Sequence, residues 1–177
     1  MEEPAFFPEQ NRAYDIVHRK GKHLACVAPH VHDATEIYLN LSFLPNVLLG
    51  NQVMAAEPGT LILIPPFQVH HLFDRTDEVY ERYILSVSAE WLEHVFPQGK
   101  TKYEYLKNGG RPLLLSLSSV AQEALRQSLE ELLAFGDDFF FEAMACFLGG
   151  MEQIYRIVLW KEEGKKGARI SGVQQTV

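Results

Sequence analysis

Two histidines, His30 and His32, stand two residues apart, and Glu36 follows four residues after the second. On an extended chain, side chains at i and i+2 share a face. The two imidazoles therefore point the same way, and Glu36 keeps their parity if the strand runs on. His70 lies far downstream, behind the apolar run 60–64 and the Pro65-Pro66 bend. Three imidazoles and a carboxylate brought to one point form a ligand set for a borderline divalent metal such as Zn, Ni or Fe. The same four side chains could instead be the polar floor of a ligand pocket, and spacing alone leaves both readings open. Catalysis asks for more. No further carboxylate pair, nucleophile–base spacing or phosphate loop accompanies the set, so the chain is not expected to be an enzyme.

Parity extends the candidate pocket. With Glu36 inward, Tyr38 and Asn40 follow, while Ile37, Leu39 and Leu41 face another layer. With His70 inward, Leu72 and Asp74 follow, and His71 and Phe73 pack outward. Arg82 sits among apolar neighbours, where a guanidinium needs a partner. That partner is either an anionic ligand or a carboxylate of Glu36, Asp74 or Glu81. The pocket set is thus His30, His32, Glu36, Tyr38, Asn40, His70, Leu72 and Arg82. His18, His23 and His94 have no partners by spacing and read as surface residues.

The elements that must position these groups are short. Between residues 22 and 88 the pattern is one of strands broken by turn signals, as in all-β sandwiches and barrels. Strands are expected over 23–27, 35–42, 47–49, 52–55, 60–64, 70–73 and 80–88. Gly50-Asn51 and Glu57-Pro58-Gly59 supply turns, since Gly and Asn tolerate positive φ. After Ser88 the period lengthens to a short helix over 89–95, and a polar connector spans 97–118. Ser119 and Gln122 form a capping box for a helix ending at Gly136. Asp137 or Asp138 caps a longer helix to about Glu163. Residues 1–20, with Pro4, Pro8 and Phe6-Phe7, read as an N-terminal arm. The barrel is expected over 21–96, the helical hairpin over 119–164, and a linker or the start of another helix over 165–177.

The long helix carries Phe140, Met144, Phe147, Met151, Ile154 and Val158 at spacings of 4, 3, 4, 3 and 4, a heptad seam. Leu148, Tyr155 and Leu159 form a second stripe. One stripe can pack on the chain's own body and leave the other to a partner. The seam is the expected dimer interface. Gly149-Gly150 costs about 1 kcal/mol per residue relative to alanine, which a close backbone crossing or a kink would explain.

Bulk properties bound the rest. With 177 residues, 47% hydrophobic and 22% charged, the chain suits one domain with a helical appendage. A net charge of −7 with scattered Lys and Arg argues against nucleic-acid binding by this chain itself. Cys26 and Cys146 match no metal or redox spacing and read as reduced, buried thiols of a cytoplasmic protein. Met-Glu-Glu-Pro does not open a signal peptide, and no stretch approaches the roughly 20 apolar residues of a membrane span.

The order of the site residues resembles the two cupin motifs. The first is His30-x-His32-x-x-x-Glu36. The second runs from Gly59 through Pro65 to His70, with Phe67 where a glycine is usual. The segments from Ala28 to Tyr38, Glu57 to Pro66 and Tyr80 to Ser88, and the helical hairpin behind them, are similar to the N-terminal sensing and dimerisation domain of AraC-type transcription regulators. The glycine usual after the first motif's glutamate is missing; Ser42 to Asn46 fill that turn. The resemblance implies a mainly β fold, a cupin (double-stranded β-helix, jelly-roll) barrel followed by a C-terminal α-helical hairpin. It further implies a small effector, sugar-like or otherwise polar, and a homodimer through the long helix. DNA would be met only through a helix-turn-helix domain absent from these residues. Similar histidines in that family are often plain pocket residues. The alternative is a stand-alone metal-dependent cupin enzyme, an oxygenase or isomerase.

Overall fold

The computed structural model describes residues 13–22, 28–73, 78–95, 106, 110–135 and 140–171, with side-chain surroundings up to residue 161 of the last helix. Eight strands form two antiparallel sheets. The strands are β1 (Tyr14–Gly21), β2 (Ala34–Asn40), β3 (Leu44–Leu49), β4 (Gln52–Ala56), β5 (Thr60–Ile64), β6 (His70–Phe73), β7 (Tyr80–Ser88) and β8 (Leu113–Ser116). The larger sheet runs β1-β7-β2-β5-β8 and the smaller β4-β3-β6. Strands remote in sequence thus lie side by side, the winding of a cupin jelly roll. Among the described residues no continuous ladder closes the two sheets into a ring.

Every residue of β2 and of β5 is buried. Both faces of the large sheet are covered, so β5 is apolar without a break after Thr60, while β2 buries Thr35, Glu36 and Asn40 among its apolar residues. One face packs against the small sheet through Tyr38, Ile62, Ile64 and Ile84, met by Leu44, Val47, Leu49 and Leu72. The other face, with Ile37, Leu39, Leu61, Leu63 and Leu85, lies under the helices. The parity read along β2 therefore divides two cores.

Two strands lie where none was expected. β1 falls within residues 1–20, read as an arm, and pairs with β7 from Tyr14↔Val87 to Gly21↔Tyr80. It is an edge strand, half-buried along most of its length, so its alternation is blurred. β8 falls within the connector and pairs with the free edge of β5; four residues are too few to show a period. The strand expected at 23–27, and Cys26 with it, lies outside the described residues.

α1 spans Ala89–Val95 and α2 Ser119–Ala134. The cap of α2 is Ser118 rather than Ser119: its hydroxyl accepts from the Ala121 amide. α2 is further fixed to the sheet where the Tyr83 hydroxyl donates to Glu130 at 2.7 Å. Burial, then the Glu130 carboxylate, pushes the Tyr83 phenol up to about 12. Its folded value exceeds its unfolded one of about 10. Its contribution is therefore complete below pH 10 and lost as pH rises through 12. Tyr83→Phe is expected to cost about 1 kcal/mol at neutral pH and to abolish that alkaline loss, as read from urea melts across the range.

α3 runs from Phe140 to Ser171, longer than expected, with no proline to stop it. Its seam does not face outward. Phe147, Met151, Ile154 and Val158 are buried in the chain's own core, and Met144 packs against that core. Tyr14 stacks on Phe147 at 4.4 Å between ring centroids. Only Phe140, 62% exposed, stays free of this packing. The seam is thus corrected from partner interface to intramolecular core: the large sheet's apolar outer face must be covered, and the strongest stripe covers it. A Cβ added at Gly149 or Gly150 would meet nothing within 4 Å, so no backbone of the described residues crosses closely there. Gly149→Ala should accordingly raise stability by about 1 kcal/mol in a denaturant melt.

Candidate functional site

The site forms where the irregular segment 28–33 meets β2 and β6. His30 and His70 exchange both backbone hydrogen bonds at 3.1 Å, an isolated bridge that lays the segment along β6. The Phe67 amide donates to the His32 carbonyl at 2.8 Å. Phe67 takes the usual glycine's place with φ 60, so an L side chain occupies the left-handed region that glycine would occupy without strain.

These ties bring all four motif side chains together. Each of His30, His32, Glu36 and His70 offers a ligand atom, and those atoms lie within 4.8 Å of one another. His32 Nε2 and His70 Nε2 stand 3.3 and 3.1 Å from Glu36 Oε2. The Tyr38 hydroxyl donates to the same oxygen at 2.5 Å. Glu36 is 5% exposed, and the rings of His30 and His70 are 4.2 Å apart.

Burial would push the Glu36 carboxyl up. Hydrogen bonds and charge from His32 and His70 outweigh it and hold the group well below the usual carboxylate range. Burial, followed by the proximity of His70, lowers the His30 imidazolium. Burial and the Glu36 charge raise the Tyr38 phenol well above its ordinary value. Each Nδ1 is turned to a backbone carbonyl: His30 to Ala28, His32 to Ala34 and His70 to Gln68. Ring orientation is thereby fixed from behind, as in sites where an outer shell orients metal ligands. The cluster could hold a metal ion, and its donors suit a borderline divalent one.

Of the remaining pocket residues, Tyr38 reaches Glu36 and the others lie farther off. Tyr38 and Leu72 line the inner core. Arg82 stands opposite Asn40 in register, about 13 Å along the strand from Glu36, with its guanidinium 5.9 Å from the Tyr38 ring centroid. Asn40 is occupied by turn formation, donating to the carbonyls of Ser42 and Glu57. Glu81 pairs with Lys20 and His18, and Asp74 lies outside the described residues. His71, expected outward, is buried.

Sequence reasoning missed Ser86 and Arg19. Ser86 faces Glu36 in register, fully buried, with no partner for its hydroxyl among the described residues. Arg19 stands opposite Arg82. Both sit on strands whose pairing was not readable.

The model of the AraC-like ligand binding domain matches residues 16–143. Apo ToxT from Vibrio cholerae, in a single-site variant, shares 13% identity over 90% of this chain and 58% of its own, with a TM-score of 0.53. A further ToxT structure covers 81% of this chain with 13% identity and a TM-score of 0.48. A cupin 2 conserved barrel domain protein from Salinispora arenicola covers 55% of this chain and 79% of its own, with 16% identity and a TM-score of 0.40. The first of these carries the shared fold, and this chain spans 58% of that protein's length. No curated protein sequence matches significantly.

Proposed function

Since the chain belongs to the AraC-like ligand-binding domain family, we propose that it is the effector-sensing and dimerisation part of a bacterial AraC-type transcription regulator. The observation carrying this reading is the polar cluster of His30, His32, Glu36 and His70, which lies beside the apolar inner core of Tyr38, Ile62, Ile64 and Ile84. A small polar effector meets that cluster, with Tyr38 and Ser86 beside it. A divalent ion of Zn, Ni or Fe is the cofactor the cluster would take. The chain acts in the cytoplasm and reaches DNA through a domain outside these residues. No described helix is long and apolar enough to cross a membrane.

A homodimer forms through the free stripe of α3. Phe141 and Leu148, seven residues apart, are 82% and 41% exposed, and half-buried Tyr155 and Leu159 continue the line. Effector binding then acts by favouring one arrangement of the dimer, since a ligand shifts only an equilibrium it binds unequally.

The test is a thermal-shift screen of small polar metabolites against the purified chain. A saturable hit that Glu36→Gln abolishes and His18→Ala leaves intact supports the sensor. The four-ligand cluster alone favours the second reading, a metal-dependent cupin enzyme. Steady consumption of the hit by the chain would establish that reading and overturn the sensor.

A further inference from the structure

Residues two apart on a strand share a face, so the register of the large sheet sorts its inner face into rows. Val17, Ile84, Tyr38, Ile62 and Leu114 make one apolar row, in or against the inner core. Two residues along, Arg19, Arg82, Asn40 and Thr60 make the next. Its two charges are both positive and stand directly opposite each other, a placement that costs stability on a sheet.

Both cations belong to the interior. Arg82 is 5% exposed, and its guanidinium lies 5.9 Å from the centroid of the Tyr38 ring. Arg19 is half-buried on the edge strand β1. Val17, two residues before it, packs on the inner core, while His18 between them stacks on Tyr83 in the other layer. Burial and the Glu36 charge raise the Tyr38 phenol, and Arg82 and then Arg19 pull the other way.

No carboxylate of the described residues stands in this row. Glu36 is engaged by His32, His70 and Tyr38. Glu81 pairs with Lys20 and His18 on the opposite face. Each arginine has further contacts within the chain, and an anion between them adds to these while relieving the repulsion. A planar guanidinium fork matches an oxyanion, and water is scarce enough here for that attraction to be strong.

We propose that Arg82 and Arg19 form an oxyanion subsite two rows from the histidine cluster. It takes the carboxylate or phosphate of a small ligand whose apolar part lies along Val17, Ile84 and Tyr38. That this ligand is the effector rests on the sensor reading; binding of the anion does not.

The test uses the whole chain in phosphate-free buffer at low salt, with hexanoate, hexyl phosphate and uncharged hexanamide as probes. At least one anion should bind saturably in calorimetry with a Kd of about 1 mM or below, and the tighter of the two names the oxyanion. Hexanamide should bind at least about 10-fold more weakly. Arg82→Gln should weaken the anion roughly 10–100-fold and leave hexanamide unchanged. Lys20→Gln, on the opposite face, should alter neither. Arg19 is only half-buried, so Arg19→Gln carries the same readout in a folded protein if Arg82→Gln fails to fold. The proposal is overturned if neither anion binds below about 10 mM, if hexanamide binds as tightly as hexanoate, or if anion binding survives the arginine substitutions. An anion that binds through these arginines while no effector is found leaves this inference standing and removes the sensor. An uncharged effector that needs Glu36 and is indifferent to Arg82 and Arg19 does the reverse.

Discussion

Ile154→Asp should unfold the domain, whereas Leu148→Asp should leave it folded and split the dimer proposed through α3. Ile154 is fully buried between the large sheet and α2. Truncating such a side chain costs about 2–5 kcal/mol, and leaving a carboxylate there without a partner costs several more. Against a total stability of about 5–15 kcal/mol, little native protein should remain, and circular dichroism with a urea melt reads this directly. Leu148 is 41% exposed on the opposite side of the seam, so its substitution should move monomer stability by no more than about 0.5 kcal/mol. In the dimer a buried aspartate at that position should cost 2 kcal/mol or more, roughly a 30-fold rise in Kd. Sedimentation across a concentration series separates the two variants. A folded, monomeric Ile154→Asp would return the heptad seam to the role of partner interface. An unchanged dimer in Leu148→Asp would move the interface elsewhere.

That contrast locates where sequence reasoning stops. Periodicity reveals that Phe147, Met151 and Ile154 share a stripe, because a helix repeats every 3.6 residues whatever covers it. It does not say whether the cover is a second copy or the chain's own sheet. The polar quartet was more legible. Histidine and glutamate are rarely buried without reason, strand parity aligns His30, His32 and Glu36, and the double proline isolates His70. The convergence itself depends on β6 pairing with segment 28–33, a long-range contact with no local signature. For the same reason Ser86 stayed hidden inside the apolar run of β7, since only the β2–β7 register places it opposite Glu36. β1 escapes sequence reading because most of it is half-buried at the sheet edge, which blurs its alternation.

In chelator-treated protein, His32→Leu combined with His70→Leu should be far more damaging than Glu36→Leu. The double change leaves a carboxylate 5% exposed with the Tyr38 hydroxyl but without either imidazole that offsets its burial. Breaking a buried pair from one side in this way costs about 3–5 kcal/mol. Glu36→Leu leaves imidazoles instead, which have a neutral form that needs no counter-charge, so the loss is nearer the roughly 1–2 kcal/mol of the hydrogen bonds removed. The decisive variant carries all three leucines. Replacing a buried charged set by apolar groups of similar volume is often neutral or stabilising by about 1–4 kcal/mol. The triple variant should therefore recover most of what the double lost, with urea midpoints giving the order, while binding neither Co²⁺ nor an effector. A triple variant less stable than the double would mean that the quartet holds the sandwich together. Recovery of stability without binding means that the fold merely tolerates His32, Glu36 and His70, and that ligand recognition is what they are there for.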